Sequence, residues 1–178
     1  MTVRPILQLG DPTLWEVSDP VTELSAPEAQ TALHDLWDTL HNFQATHGFG
    51  RAIAAPQIGA LQRIIVVDMG ADAFQDALIN PEITWTSDEE IELWDDCFRF
   101  PELLVRVRRA ARIRVAYRDA AGVQRTVDAA GDLSELLQHE IDHLDGVLAV
   151  QRTLSPRALC TRAEWERRYK QTHHRERG

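Results

Sequence analysis

One nine-residue segment, Gln138-His139-Glu140-Ile141-Asp142-His143-Leu144-Asp145-Gly146, constrains this chain more than any other. An α-helix turns once every 3.6 residues, so His139 and His143 leave the same face and can share one metal ion. Glu140, next to the first histidine, is placed to take a proton from a water on that ion. The flanking Leu137, Ile141 and Leu144 are apolar, so the helix is expected to be buried. It should run from about Leu133 to Leu144, with Asp132 or Ser134 near its start and Gly146 just past its end.

Two histidines leave such a site incomplete, because a catalytic metal generally takes three protein ligands and keeps one position open. Cys97, in Trp94-Asp95-Asp96-Cys97-Phe98-Arg99-Phe100-Pro101 at the end of an expected strand, is the leading third ligand. A thiolate is a strong donor for soft and borderline metals. The competing readings are a buried apolar cysteine, or a third donor from Glu164 or Glu166 in a charged helix downstream. A blue-copper site also uses two histidines and a cysteine with a nearby methionine, but only Met1 and Met69 are present. His34 and His41, seven residues apart, read as surface or rim histidines. A further segment, Gly48 to Gly59, is rich in glycine and alanine and contains Gln57. Small residues permit close backbone approach, and an amide could donate to a developing oxyanion. A loop packed against a helix explains the same residues.

The surrounding pattern is α+β. Ser25-Ala26-Pro27-Glu28 resembles a helix start with a serine cap and a capping-box glutamate. Ala29, Leu33, Leu36, Trp37, Leu40 and Phe43 then form an apolar stripe that ends at Gly48 and Gly50. Short strands follow at Arg63–Asp68, Ala77–Pro81, Ile83–Trp85, Glu89–Trp94, Leu104–Val107 and Ala111–Tyr117. The turn Asp119-Ala120-Ala121-Gly122 leads into Val123–Val127 as a hairpin. Arg106, Arg108, Arg112, Arg114 and Arg118 occupy the polar side of this ribbon, where arginines chiefly solubilise. A last helix is expected over Thr161–His173. Antiparallel or mixed sheets should therefore pack around a central helix carrying His-Glu-x-x-His, with helices toward each end.

The 178 residues, 44% hydrophobic, suit a single domain. No apolar run approaches the roughly 20 residues of a membrane span, and the N-terminus does not resemble a secretory signal, so a cytoplasmic location is expected. Two cysteines, Cys97 and Cys160, are too few for a disulfide framework. The net charge of −9 argues against a dedicated nucleic-acid site. Gln151 to Gly178 nonetheless holds eight basic residues against three acidic ones, a basic helical extension able to approach an anionic surface.

Taken in order, three of these segments resemble the signature motifs of the peptide deformylase family. Gly50-Arg51-Ala52-Ile53-Ala54-Ala55-Pro56-Gln57 resembles its Gly-x-Gly-(apolar)-Ala-Ala-x-Gln motif, Asp95 to Arg99 its Glu-Gly-Cys-Leu-Ser, and Gln138 to Leu144 its Gln-His-Glu-x-Asp-His-Leu. The stretch Ile6 to Leu14 is similar to the family's opening. The resemblance implies a hydrolase that removes the N-formyl group from the initiator methionine of nascent chains. It implies Cys97, His139 and His143 as ligands of Fe2+, replaceable by Zn2+ or Ni2+. It implies Glu140 as the proton carrier, and Gln57 with the backbone N–H of Phe98 as oxyanion donors. Gly50 and Ala52 would line the peptide groove, and some relatives dock on the ribosome through a basic C-terminal helix. The chain departs from the family at Ala52, Asp96, Phe98 and Arg99, where the pattern has glycine, glycine, leucine and serine. Aspartate at 96 would be costly if that residue needs positive φ. Arg99 could pair with Asp95, Asp96 or a substrate carboxylate. Every metal and proton-transfer position is intact, so a competent enzyme with an altered substrate pocket is expected. An amidase for another N-formyl or N-acyl compound is a second reading, and a silent peptide- or ribosome-binding paralogue a third.

Overall fold

The long helix α1, Pro27–His47, shows how local chemistry sets the elements. It begins one residue later than a serine cap would place it. Ala26 is the N-cap, and Ser25 Oγ donates to Glu23 instead. Pro27 occupies the first turn, where its missing N–H costs nothing. The helix ends at Gly48, whose φ of 75° is left-handed. His34 and His41 on its outer side are exposed, as expected. These elements belong to a computed structural model that describes residues 2–98 and 100–170.

Five strands form one antiparallel sheet: β1 (Ala52–Ala54), β2 (Ile64–Asp68), β3 (Gln75–Thr86), β6 (Arg112–Arg118) and β7 (Gln124–Ala130). A second antiparallel sheet joins β4 (Glu90–Asp96), β5 (Leu103–Ala110) and β8 (Leu159–Thr161). All of these strand pairs are antiparallel, which settles the antiparallel-or-mixed expectation. Successive side chains of a strand face opposite ways. In β2, Ile65 and Val67 accordingly pack toward the helix α2, Gly131–Leu144, while Ile64 and Val66 pack toward α1. The five-stranded sheet is thus covered on both faces, and α2 lies between it and the smaller sheet.

Three expected boundaries move. The two short strands on either side of Asn80-Pro81 are one strand, β3, with a register shift between Ile79 and Glu82. Asn80 sits there at φ 51°, a conformation that asparagine tolerates. Its side chain exchanges hydrogen bonds of 2.8 and 2.9 Å with the Val21 backbone, which ties the N-terminal segment to the sheet. Neither Asp132 nor Ser134 caps α2, since Ala130 is the N-cap and Ser134 Oγ donates to the Ala110 carbonyl. The tail is not wholly helical. It contributes β8 before the short helix α3, Arg162–Arg168, and residues 171–173 of the expected helix lie outside the described residues.

Candidate metal centre

Helix α2 presents its chemistry on one face because the apolar residues take the other. Leu137 and Leu144 are fully buried against the sheet, and Ile141 is nearly so. His139, Glu140 and His143 are buried toward the smaller sheet, at 5%, 3% and 0% exposure. The turn after the helix is tight. Gly146 has φ 69°, and a Cβ there would come within 2.5 Å of the Trp15 carbonyl oxygen. Cys97 immediately follows β4 and enters the same space at 5% exposure.

The Nε2 atoms of His139 and His143 lie 2.9 Å apart, and Cys97 Sγ is 3.4 Å from His143 Nε2. All three donor atoms fall within 4.8 Å of one another. Metal–nitrogen and metal–sulfur bonds are about 2.0 and 2.3 Å, so one first-row ion fits among them. The electrostatics suit a cation as well. Burial opposes a charge on His139, yet Asp95 and Cys97 hold its pKa well above the ordinary histidine value. Glu164 is drawn instead into contacts with Arg167 and Arg168 in α3 and is not part of this donor set.

Around the donors stands a set of charges for which the sequence reading did not allow. Asp95 Oδ1 is 2.8 Å from His139 Nδ1, the ring nitrogen opposite the candidate metal position. Asp95 Oδ2 accepts from Arg109 at 2.7 Å. Arg109 reaches Asp142 at 2.9 Å, and Asp142 accepts from Arg152 at 2.7 Å. Burial alone would raise the pKa of Asp95, but His139 and Arg109 outweigh it and bring it to about 2. A signal for Arg109 was available: alternation along β5 gives it the inward parity of Val105 and Val107. A guanidinium at an inward position requires a carboxylate partner.

Gln57 is held by its own local structure. It lies in the 3₁₀ turn Ala55–Ile58, and its Oε1 accepts from the Ala54 N–H at 2.6 Å. The amide nitrogen therefore faces the site, 3.9 Å from Cys97 Sγ. Cys97, His139, Gln57 and Glu140 line one cavity of about 350 Å3, which also meets Gly50, Ala52 and Phe98. Gly50 has φ 126°, and a Cβ would stand 3.1 Å from the rings of both Phe43 and Phe98. Those rings stack at 4.0 Å between centroids. Asp96 is not at positive φ, so the feared strain is absent, and it pairs with Arg162 at 2.7 Å. Arg99 lies outside the described residues.

A buried centre of two imidazoles and a thiolate, with a carboxylate and an amide donor beside it, is the arrangement a metallohydrolase uses. Comparison with known proteins gives the family. Residues 3–158 match the polypeptide deformylase family, and the chain belongs to it. It is 38% identical over 155 residues to a peptide deformylase of Bartonella tribocorum, covering 84% of each chain. It is 39% identical over 152 residues to a peptide deformylase-like protein of Brucella melitensis, covering 85% of this chain and 89% of that one. Among solved structures, a peptide deformylase of Legionella pneumophila superimposes with a TM-score of 0.79 at 32% identity over 98% of both chains. One from Ehrlichia chaffeensis, in complex with actinonin, gives 0.78 at 28% identity over the full length of both.

Proposed function

We propose that this chain is a metal-dependent hydrolase that removes the N-formyl group from the N-terminal methionine of nascent polypeptides, releasing formate. The observation that carries this reading is the convergence of Cys97, His139 and His143 within 4.8 Å, beside a cavity that Cys97 and His139 share with Gln57 and Glu140. Water adds to the formyl carbon, the carbon–nitrogen bond breaks, and the products are formate and a free amine. Cys97, His139 and His143 would hold a divalent ion, which would supply Lewis acidity and lower the pKa of a water there. Glu140 accepts the proton lost by the attacking water and delivers it to the departing amine nitrogen. Gln57 Nε2 and the Phe98 backbone N–H donate to the oxygen on which charge develops. Asp95 orients the His139 ring through Nδ1.

Fe2+ is the proposed native ion, with Zn2+ and Ni2+ as substitutes, because a thiolate with two imidazoles serves all three. We read the chain as a single deformylase-like domain acting in the cytoplasm. No helix among the described residues is long and apolar enough to cross a membrane. The proposed ribosome contact through residues 151–178 rests on charge alone. Much of that charge is already paired, Arg152 with Asp142, Arg162 with Asp96, and Arg167 and Arg168 with Glu164 on the exposed face of α3.

Formate release from formyl-methionyl peptides, by anaerobically prepared protein of assayed metal content, tests the reading. Turnover is expected. Glu140→Ala should retain metal and lose about 10²–10⁴-fold in rate, the usual worth of a general base. Absence of turnover by metal-loaded wild-type protein would move the weight to another N-acyl substrate or to a binding role.

A further inference from the structure

The cavity beside the donors has a charged wall. Residues 132, 135, 136, 139 and 140 recur at helical spacing, so one face of α2 carries Asp132, Glu135, Leu136, His139 and Glu140. Glu135, Leu136, His139 and Glu140 on this face line the cavity, as does Arg51, just before β1. Arg51 Nη2 donates to both oxygens of Glu135, at 3.2 and 3.3 Å, and Arg51 Nη1 is 4.0 Å from Asp132. The Glu135 side chain is 6% exposed and that of Arg51 34%. Burial raises the Glu135 pKa, with Arg51 opposing.

Geometry connects this wall to the substrate, on the deformylase reading given above. The formyl carbon must lie among the metal donors, Gln57 and Glu140. The first side chain branches from the atom next to the formyl nitrogen. Glu135 lies one helical turn before His139, a rise of about 5–6 Å, which a side chain of three or four heavy atoms spans. A purely apolar side chain laid there would strip water from Arg51 and Glu135 and return no hydrogen bond. A side chain ending in an amide offers an oxygen to Arg51 and an N–H to Glu135 at the same time.

We infer that Arg51 and Glu135 are specificity-determining residues, forming a polar subsite that accepts a first side chain with a neutral hydrogen-bonding head, of glutamine type, alongside methionine. Both single charges face the subsite, so neither a cationic nor an anionic side chain finds one sign alone. The inference depends on the deformylase reading for where the formyl group sits.

The test measures kcat/KM for matched N-formyl peptides whose first residue is methionine, glutamine, glutamate or lysine, on wild-type protein and on the double variant Arg51→Ile/Glu135→Leu. Replacing both partners by apolar residues avoids stranding one buried charge. Wild-type protein is expected to use formyl-glutamine within about tenfold of formyl-methionine, a difference of about one lost hydrogen bond. The double variant should shift that ratio at least tenfold toward methionine. Wild-type discrimination above a hundredfold for methionine overturns the inference, whether or not the variant folds. An unchanged ratio in a folded, metal-loaded double variant overturns it as well. Absence of formate from every peptide sinks the deformylase reading itself, a distinct outcome.

Discussion

Gln57 has its orientation decided three residues upstream. Because the Ala54 N–H occupies Oε1, the side-chain amide presents its N–H groups to the cavity before any substrate arrives. A donor fixed in advance needs no reorganisation in the transition state. Gln57→Ala should therefore cost about 10²–10³ in kcat while leaving metal content unchanged, as steady-state formate assays and metal analysis would show. Asp95 acts one step further out. Its carboxylate holds His139 Nδ1 at 2.8 Å, so Asp95→Asn should weaken metal binding by about 10–100-fold, measured by competition with a chelator. Of these two residues only Gln57 was legible in the sequence, through its place in a motif. Asp95 becomes meaningful only once Arg109 is seen to reach it from a neighbouring strand.

Elements defined by repeating patterns were the ones the sequence made plain. The stripe of α1, the histidine spacing of α2 and the β6–β7 hairpin all recur at their expected places, because burial enforces periodicity along a whole element. Their ends were less legible, since a cap depends on one side chain and its neighbours in space. Ser25 could have capped α1, but Glu23 offered its hydroxyl another partner. The hairpin turn is organised by Asp119, whose Oδ1 accepts from the N–H groups of Ala121 and Val123 while Oδ2 accepts from Arg125. The hydrogen bond from Arg125 is the main cause that holds its pKa below the ordinary aspartate value. A group depressed in the folded state stabilises above its unfolded pKa and loses that contribution as pH falls through the folded one. Between pH 7 and pH 3, urea unfolding of wild type should therefore weaken more steeply than that of Asp119→Asn. The turn after α2 is less forgiving: Gly146→Ala meets both positive φ and the Trp15 carbonyl. It should cost at least about 1–2 kcal/mol, visible as a lower thermal midpoint.

Across the whole molecule, the candidate metal centre is a joint between layers. Cys97 arrives from the three-stranded sheet and both histidines from the helix that packs on the five-stranded one. Any ion bound there closes a long loop of chain, and by mass action it stabilises the folded state by about 2.7 kcal/mol at a hundred times its dissociation constant. Chelation should lower the calorimetric midpoint and increase hydrogen exchange first in β4 and β5. The chain of charges from His139 through Asp95, Arg109 and Asp142 to Arg152 spans the same joint. Deleting Arg109 alone would leave buried Asp95 facing only His139 and Asp142 only Arg152.

The stacked rings of Phe43 and Phe98 have a mechanical consequence. Phe98 is the next residue after Cys97, and consecutive Cα atoms are held about 3.8 Å apart by the peptide bond. The ring that lines the cavity and the sulfur that would hold the ion thus hang from adjacent Cα atoms, and the ring is braced on Phe43 of α1. A ligand that parts the rings by shifting the Phe98 backbone also shifts the thiolate, which ties the path of entry to the grip on the ion.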